Sequence, residues 1–180
     1  LPASATALTL AVAAATLPLG CRPAEEKAPV ESAPIVVGNI GLDLRLAGLP
    51  SRFVVERNSD RQLTLKPADP EVHGTVSIAV LPPEAGQNLP AMVSDHQTDI
   101  ETREDGDALG GQELISPLGT TFYSRGRFTD DGSVIEEVVV FALHPRGDRA
   151  MTVTYHYPAA DDSGDRVQQL LEIVAVVEGM

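Results

Sequence analysis

The sequence predicts an α+β fold, a three-layer α/β/α sandwich around a central, mainly antiparallel sheet. Three observations carry this reading. Short segments with period-two alternation recur from Leu42 to Tyr157. Two other stretches, one mid-chain and one C-terminal, repeat apolar residues at helical spacing. One strand, Val134–Leu143, is apolar on both faces and needs a cover on each side. Two helices on opposite faces of one sheet meet that need.

The elements follow in order. Leu42, Leu44 and Leu46 alternate with Asp43, Arg45 and Ala47, the pattern of a half-buried strand, and Gly48–Ser51 turns the chain. Phe53–Arg57 is a second strand, turned by Asn58-Ser59-Asp60. Leu63 and Leu65 mark a third, ended by Pro67. Val76, Ile78 and Val80 mark a fourth, stopped by Pro82-Pro83. The period then changes. Leu89, Met92, Val93, His96 and Ile100 form one face of a helix, with Asn88 as N-cap and Pro90 in the first turn. Glu104-Asp105-Gly106-Asp107 and Gly110-Gly111 read as an acidic, flexible loop. Thr120–Phe128, Val134–Leu143 and Met151–Tyr157 are three further strands. Asp130-Asp131-Gly132 and Pro145–Asp148 are the turns between them. Val167, Leu170, Leu171, Val174 and Val177 predict a final helix, capped by Asp162 or Ser163 and ended by Gly179.

Bulk composition bounds the function. The 180 residues have room for one domain plus appendages, and 43% hydrophobic with 22% charged residues is ordinary globular usage. The formal net charge is -13, and residues 1–20 carry none of it. So acidic a domain repels nucleic-acid phosphates and anionic lipid surfaces, so nucleic acid is not an expected partner. The single cysteine, Cys21, excludes an intrachain disulfide, a thiolate zinc cluster and an iron–sulfur site.

The N-terminal stretch has its own logic. Residues 1–20 hold an apolar core from about Ala7 to Leu19, the length of a signal-peptide core and short for a membrane span. Leu19-Gly20-Cys21 resembles a bacterial lipoprotein signal, in which a short apolar stretch and a small residue precede the lipidated cysteine. Pro18 and the missing charged start depart from that pattern, and the missing initiator Met points to a start truncated or misplaced. The resemblance implies cleavage between Gly20 and Cys21, with the membrane as a partner through a lipid on Cys21. Two or three acyl chains make such an anchor stable. Arg22, where an Asp would favour inner-membrane retention, points to an outer membrane facing the periplasm if the organism has one. Residues 21–37 then read as a Pro/Ala/Glu tether, reaching roughly 40 Å at about 3.1 Å per residue. Residues 38–180 are the folded domain.

That domain resembles the PsbP-like α/β/α fold, which includes DcrB-type bacterial lipoproteins. The resemblance rests on Gly41-Leu42-Asp43-Leu44 to Gly48-Leu49-Pro50, the mid-chain helix and the hairpin opened by Gly119-Thr120-Thr121-Phe122-Tyr123. It also rests on Val153-Thr154-Tyr155-His156-Tyr157-Pro158 and the helix Arg166–Val174. It implies a non-catalytic binding or assembly-accessory role with a protein or small-molecule partner in the cell envelope. Tyr123, Arg125 and Arg127 share a strand face and are the candidate interaction surface.

Catalytic and cofactor signatures are absent from the sequence. It has no G-x-S-x-G turn, P-loop or G-x-G-x-x-G, and His73, His96, His144 and His156 show no ligand spacing. His96 reads as a core-edge residue on the helix stripe. No cofactor or metal is expected. Two other classes stay open: an envelope hydrolase using His144 or His156 with a carboxylate, and weak cation binding by Glu104, Asp105 and Asp107.

Overall fold

The computed structural model describes residues 34–82 and 88–180. The predicted signal segment, Gly20, Cys21 and the tether up to residue 33 lie outside the described residues. The elements are β1 (Val37–Asn39), β2 (Leu44–Leu46), β3 (Phe53–Ser59), β4 (Gln62–Pro67), β5 (Thr75–Val80) and α1 (Leu89–Thr102). They continue with β6 (Asp107–Ser116), β7 (Gly119–Asp130), β8 (Ser133–Leu143), β9 (Ala150–Pro158), α2 (Arg166–Val174) and β10 (Val177–Gly179). Seven strands form one antiparallel sheet in the order β3-β4-β5-β9-β8-β7-β6. Helix α1 lies over β6, β7 and β8 on one face, and α2 lies over β8 and β9 on the other. The three-layer arrangement is as expected from β8, whose Val138, Val139, Val140, Phe141 and Ala142 are all buried.

The two faces are filled differently. On the α2 face, Leu63, Leu65, Val76, Ile78, Val138, Val140 and Val153 pack with Leu170, Ile173 and Val174 of the helix. A second, three-stranded sheet, β1-β2-β10, adds Leu44, Leu46 and Val177 to the same core. On the α1 face the apolar cluster is smaller: Leu89, Val139, Phe141 and Ala150, with Met92, Val93 and Phe122 packed against it. Asn88 caps α1 as expected, its side chain accepting from the Ala91 N–H at 3.1 Å, with Pro90 in the first turn. The β7–β8 turn places Asp131 at φ 47° and Gly132 at φ 75°, the paired left-handed residues of a type I′ hairpin.

Three boundaries differ from the sequence reading. Of the stretch read as an acidic loop, Glu104–Gly106 do form a turn, but from Asp107 through Gly110-Gly111 the chain is strand β6, an edge strand whose register with β7 shifts between Ala108 and Gly110. Alternation fails as a signal there, because an edge strand with two glycines and a bulge has no continuous buried face. The C-terminal helix ends at Val174. Val177, which continued its stripe, pairs instead with Leu46 as part of β10, because the small sheet offers it a buried position. The N-cap of α2 is Asp165 rather than Asp162 or Ser163. Asp162 is drawn away by Arg125, at 2.6 Å.

Gly126 of β7 permits the close seating of α1. A Cβ there would meet three Ile100 side-chain atoms at 2.6, 2.7 and 2.9 Å. Gly126→Ala is therefore expected to destabilise the domain by about 1–3 kcal/mol through overpacking. Combining it with Ile100→Ala should cost less than the sum of the two single changes. Urea denaturation of the four-protein cycle measures both. Additive costs would show that Gly126 does not seat the helix.

Candidate functional site

Glu136 and Glu137 are adjacent on β8, so their side chains point to opposite faces of the sheet. Both are buried. A buried carboxylate must be paired or neutralised, and each face solves this with different chemistry.

Glu136 faces the α2 side. One carboxylate oxygen accepts from Arg125 Nε at 3.1 Å and Nη2 at 2.6 Å, and from the Tyr157 hydroxyl at 2.9 Å. The other accepts from Arg127 Nε at 3.0 Å and from Arg127 Nη2. Arg125 also reaches Asp162 at 2.6 Å. Burial alone would raise the Glu136 carboxyl, but the hydrogen bonds from Arg125, Arg127 and Tyr157 outweigh it and hold it below its ordinary value. The Tyr157 hydroxyl is pushed up by burial and by its bond to Glu136. The predicted surface residues Arg125 and Arg127 are thus brought together as a clamp around one buried carboxylate. Tyr123 packs against the α2-side core.

Glu137 faces α1. Its Oε1 accepts from His96 Nε2 at 2.6 Å, and its Oε2 accepts from His156 Nε2. Arg103, at the C-terminal cap of α1, stands 3.8 Å away and also lies over the Phe128 ring, 4.3 Å from its centroid. The other His96 nitrogen, Nδ1, is 2.8 Å from Ser124 Oγ. Either charge state of His96 leaves Nε2 as the donor to Glu137. Burial pushes Glu137 up, but the His96 bond and the charges of His156, His96 and Arg103 prevail and lower it. Burial pushes His156 down, only partly offset by the Glu137 charge.

An open groove of about 590 Å³ runs past this cluster. Helix α1 packs mainly on β6, β7 and β8, and Thr152 and Thr154 of β9 and Ser77 of β5 line the groove opposite its Asp95 and Asp99. His156 is the member of the cluster that reaches solvent, its side chain 49% exposed.

The structure separates the two histidines weighed for catalysis. His156 pairs across to Glu137, while His144 lies beyond the Leu143–Ala150 pair at the other end of the same ladder. Seven residue steps along the extended chain, from Glu137 to His144, put them about 23 Å apart. His144 is buried, and its Nδ1 accepts from the Arg146 N–H at 3.2 Å. His73 bonds Asp161 at 2.9 Å. In the acidic stretch, Asp105 accepts from the Thr129 hydroxyl at 3.0 Å. Among the described residues no group of three His, Cys, Asp or Glu side chains is placed to hold a metal ion. The sequence reading passed over Glu136 and Glu137. The available signal was a pair of carboxylates at the head of a strand needing cover on both faces.

No protein-family model matches the sequence, and no curated protein matches it significantly. Solved structures do match the fold. The Ran-binding protein Mog1p of Saccharomyces cerevisiae superposes with a TM-score of 0.55 at 12% identity, over 81% of this chain and 95% of Mog1p. A structure from Bacteroides thetaiotaomicron VPI-5482 gives 0.52 at 12% identity, over 82% of this chain and 49% of that one. Cyanobacterial PsbP (CyanoP) from Synechocystis sp. PCC 6803 gives 0.50 at 11% identity, over 84% and 96%. The fold is Mog1p/PsbP-like. That fold agrees with the resemblance read from the sequence; identities this low speak of architecture alone.

Two outcomes follow for the carboxylate pair. Glu136→Ala removes the anion that Arg125 and Arg127 share, leaving Arg125 with Asp162 alone, and should cost about 3 kcal/mol, the low end for buried ion pairs because both arginines reach solvent. Chemical denaturation reads this, and a loss within error of zero would refute the clamp. The pH dependence has a defined sign. His156 titrates below its ordinary 6.5 and Glu136 and Glu137 below 4.5, so the unfolded chain binds more protons than the folded one. Stability is thus full above pH 6.5 and falls with acidification, first through His156 and then, below 4.5, through the carboxylates. A melting series should show His156→Gln flattening the upper part of that fall. An unchanged profile would assign the fall to other groups.

Proposed function

We propose that this chain is an extracytoplasmic, lipid-anchored protein of the bacterial cell envelope that binds a partner rather than transforming a substrate. The observation that carries the binding reading is the engagement of the α1-side cluster. Both oxygens of Glu137 accept from imidazoles, and the second His96 nitrogen is held by Ser124. General acid–base catalysis needs a group free to take or give a proton at the substrate; both Glu137 oxygens are engaged, which leaves the half-exposed His156 as the group on which the alternative hydrolase reading would rest. The groove beside it combines hydroxyls from Ser77, Thr152 and Thr154 with apolar contact from Met92 and Phe141, a surface suited to recognition. Mog1p, with a similar fold, is a Ran-binding protein, which supports binding by analogy of fold only.

The anchor rests on Leu19-Gly20-Cys21, and the outer-membrane, periplasm-facing location on Arg22 after the cysteine. The partner is a protein or small molecule of the envelope, met within the reach of the tether.

Two measurements test this reading. Cys21→Ala should move the chain from the membrane fraction to the soluble extracytoplasmic fraction, and unchanged membrane retention refutes the anchor. A photo-crosslinking residue at Thr154, in the groove, should give a discrete adduct in intact cells. The same residue at Asp131, in the β7–β8 turn, should give none. Equal labelling from both positions, or turnover of a substrate that survives loss of the groove hydroxyls, counts against it.

A further inference from the structure

The α2 side holds a second cavity, of about 760 Å³. It lies between the start of β3, the turn after β4 and the first turn of α2. Arg52, Asp69, Glu71, Asp161, Asp165 and Arg166 line it. Arg166, the first residue of α2, is only 5% exposed. Its guanidinium carbon lies 4.9 Å from the ring centroids of both Tyr155 and Tyr157. Nη1 donates to the Tyr155 hydroxyl at 3.1 Å and to Gln169 Oε1 at 3.2 Å, and Nη2 donates to the Asp161 carbonyl at 2.5 Å. The Nε–H has no acceptor among the described residues.

Each of these partners is neutral, and the neighbouring carboxylates are directed elsewhere. Asp161 bonds His73 at 2.9 Å, Asp162 bonds Arg125 at 2.6 Å, and Asp165 accepts from Ser163 and from Gln169 Nε2 at 2.9 Å, with Arg52 3.8 Å away. A guanidinium keeps its charge when buried, so the inner wall of the cavity holds a cation whose hydrogen-bond partners are all neutral. The N-terminus of α2 adds to this, because the Asp165 side chain does not cap the first-turn N–H groups. The opposite wall reverses the sign: Asp69 and Glu71 stand on the turn after β4. A simple anion would satisfy the inner wall and be repelled by those carboxylates. A simple cation would meet the reverse problem.

We propose that this cavity binds an amino-acid zwitterion. Its carboxylate lies toward Arg166, Arg52 and the first turn of α2, and its ammonium toward Asp69 and Glu71. Basic amino acids fit best, because the four carboxylates of the lining outnumber its two arginines. The volume admits a ligand of that size with room to spare. This site is separate from the α1-side groove and does not depend on the reading given for it.

Calorimetric titration of the full chain tests the proposal with three probes. L-lysine carries both charges, cadaverine lacks the carboxylate and hexanoate lacks both amines. Lysine should bind saturably and at least about tenfold more tightly than either control. Arg166→Gln and Glu71→Gln should each weaken lysine binding by about tenfold, as expected for loss of a charge-assisted hydrogen bond. If Arg166→Gln fails to fold, Arg52→Gln and Glu71→Gln carry the test, being changes nearer the rim. Hexanoate binding as well as lysine would make the cavity an anion site, and cadaverine binding as well would make it a cation site. Either result overturns the proposal. So does the absence of saturable lysine binding, or full affinity in both Arg52→Gln and Glu71→Gln.

Discussion

Two neighbouring carboxylates on the most enclosed stretch of the sheet constrain everything around them. Strand β8 is covered on both faces, so Glu136 and Glu137 cannot both be solvated at its head. An unpaired buried carboxylate would cost several kcal/mol, and the surrounding elements are arranged to prevent this. Arg125 and Arg127 from β7 and Tyr157 from β9 converge on Glu136. His96 from α1 and His156 from β9 converge on Glu137. Each carboxylate therefore joins its own strand to neighbours, and Glu137 also ties the outer helix to the sheet.

The difference between the two sets of partners separates the layers chemically. Arginines keep their charge at every physiological pH, so the α2 side has a fixed ion-pair network beneath a large apolar core. His156 titrates below its ordinary value, so the α1 side loses stability as acid is added. The α1-side apolar cluster is also smaller, and α1 packs mainly on β6, β7 and β8. The groove along β9 and β5 is the consequence. Recognition on that face would use hydroxyls and the half-exposed His156. On the α2 face the buried Arg166 sets a positive inner wall against the carboxylates of the β4 turn.

Much of the fold was legible because its signals are local. Apolar residues at period two mark β4, β5 and β9, and the stripe from Leu89 to Ile100 marks α1 down to its Asn88 cap. Strand β6 was hidden because it is a glycine-containing edge strand with a bulge, which buries no continuous face. The end of α2 was misplaced because Val177 suits either a helix stripe or a buried strand, and only the presence of β2 decides between them. At the site, Arg125 and Arg127 could be seen to share a face. Their common target could not, because Glu136 is opposite Arg127 only through the β7–β8 register.

The sequence by itself determined the number of layers, the apolar positions that build them, the acidic balance and the isolation of Cys21 in its short N-terminal motif. These follow from periodicity and composition, which neighbouring residues set without reference to distant ones. Tertiary structure alone decided which charges meet. His96, Glu137 and His156 lie far apart in the chain and are joined because α1 crosses β8 beside β9. Arg166 lies buried among neutral hydrogen-bond partners because Asp161 bonds His73, Asp162 bonds Arg125, and Asp165 bonds Ser163 and Gln169. Pairing of this kind depends on strand register and helix placement, which are properties of the whole packed domain.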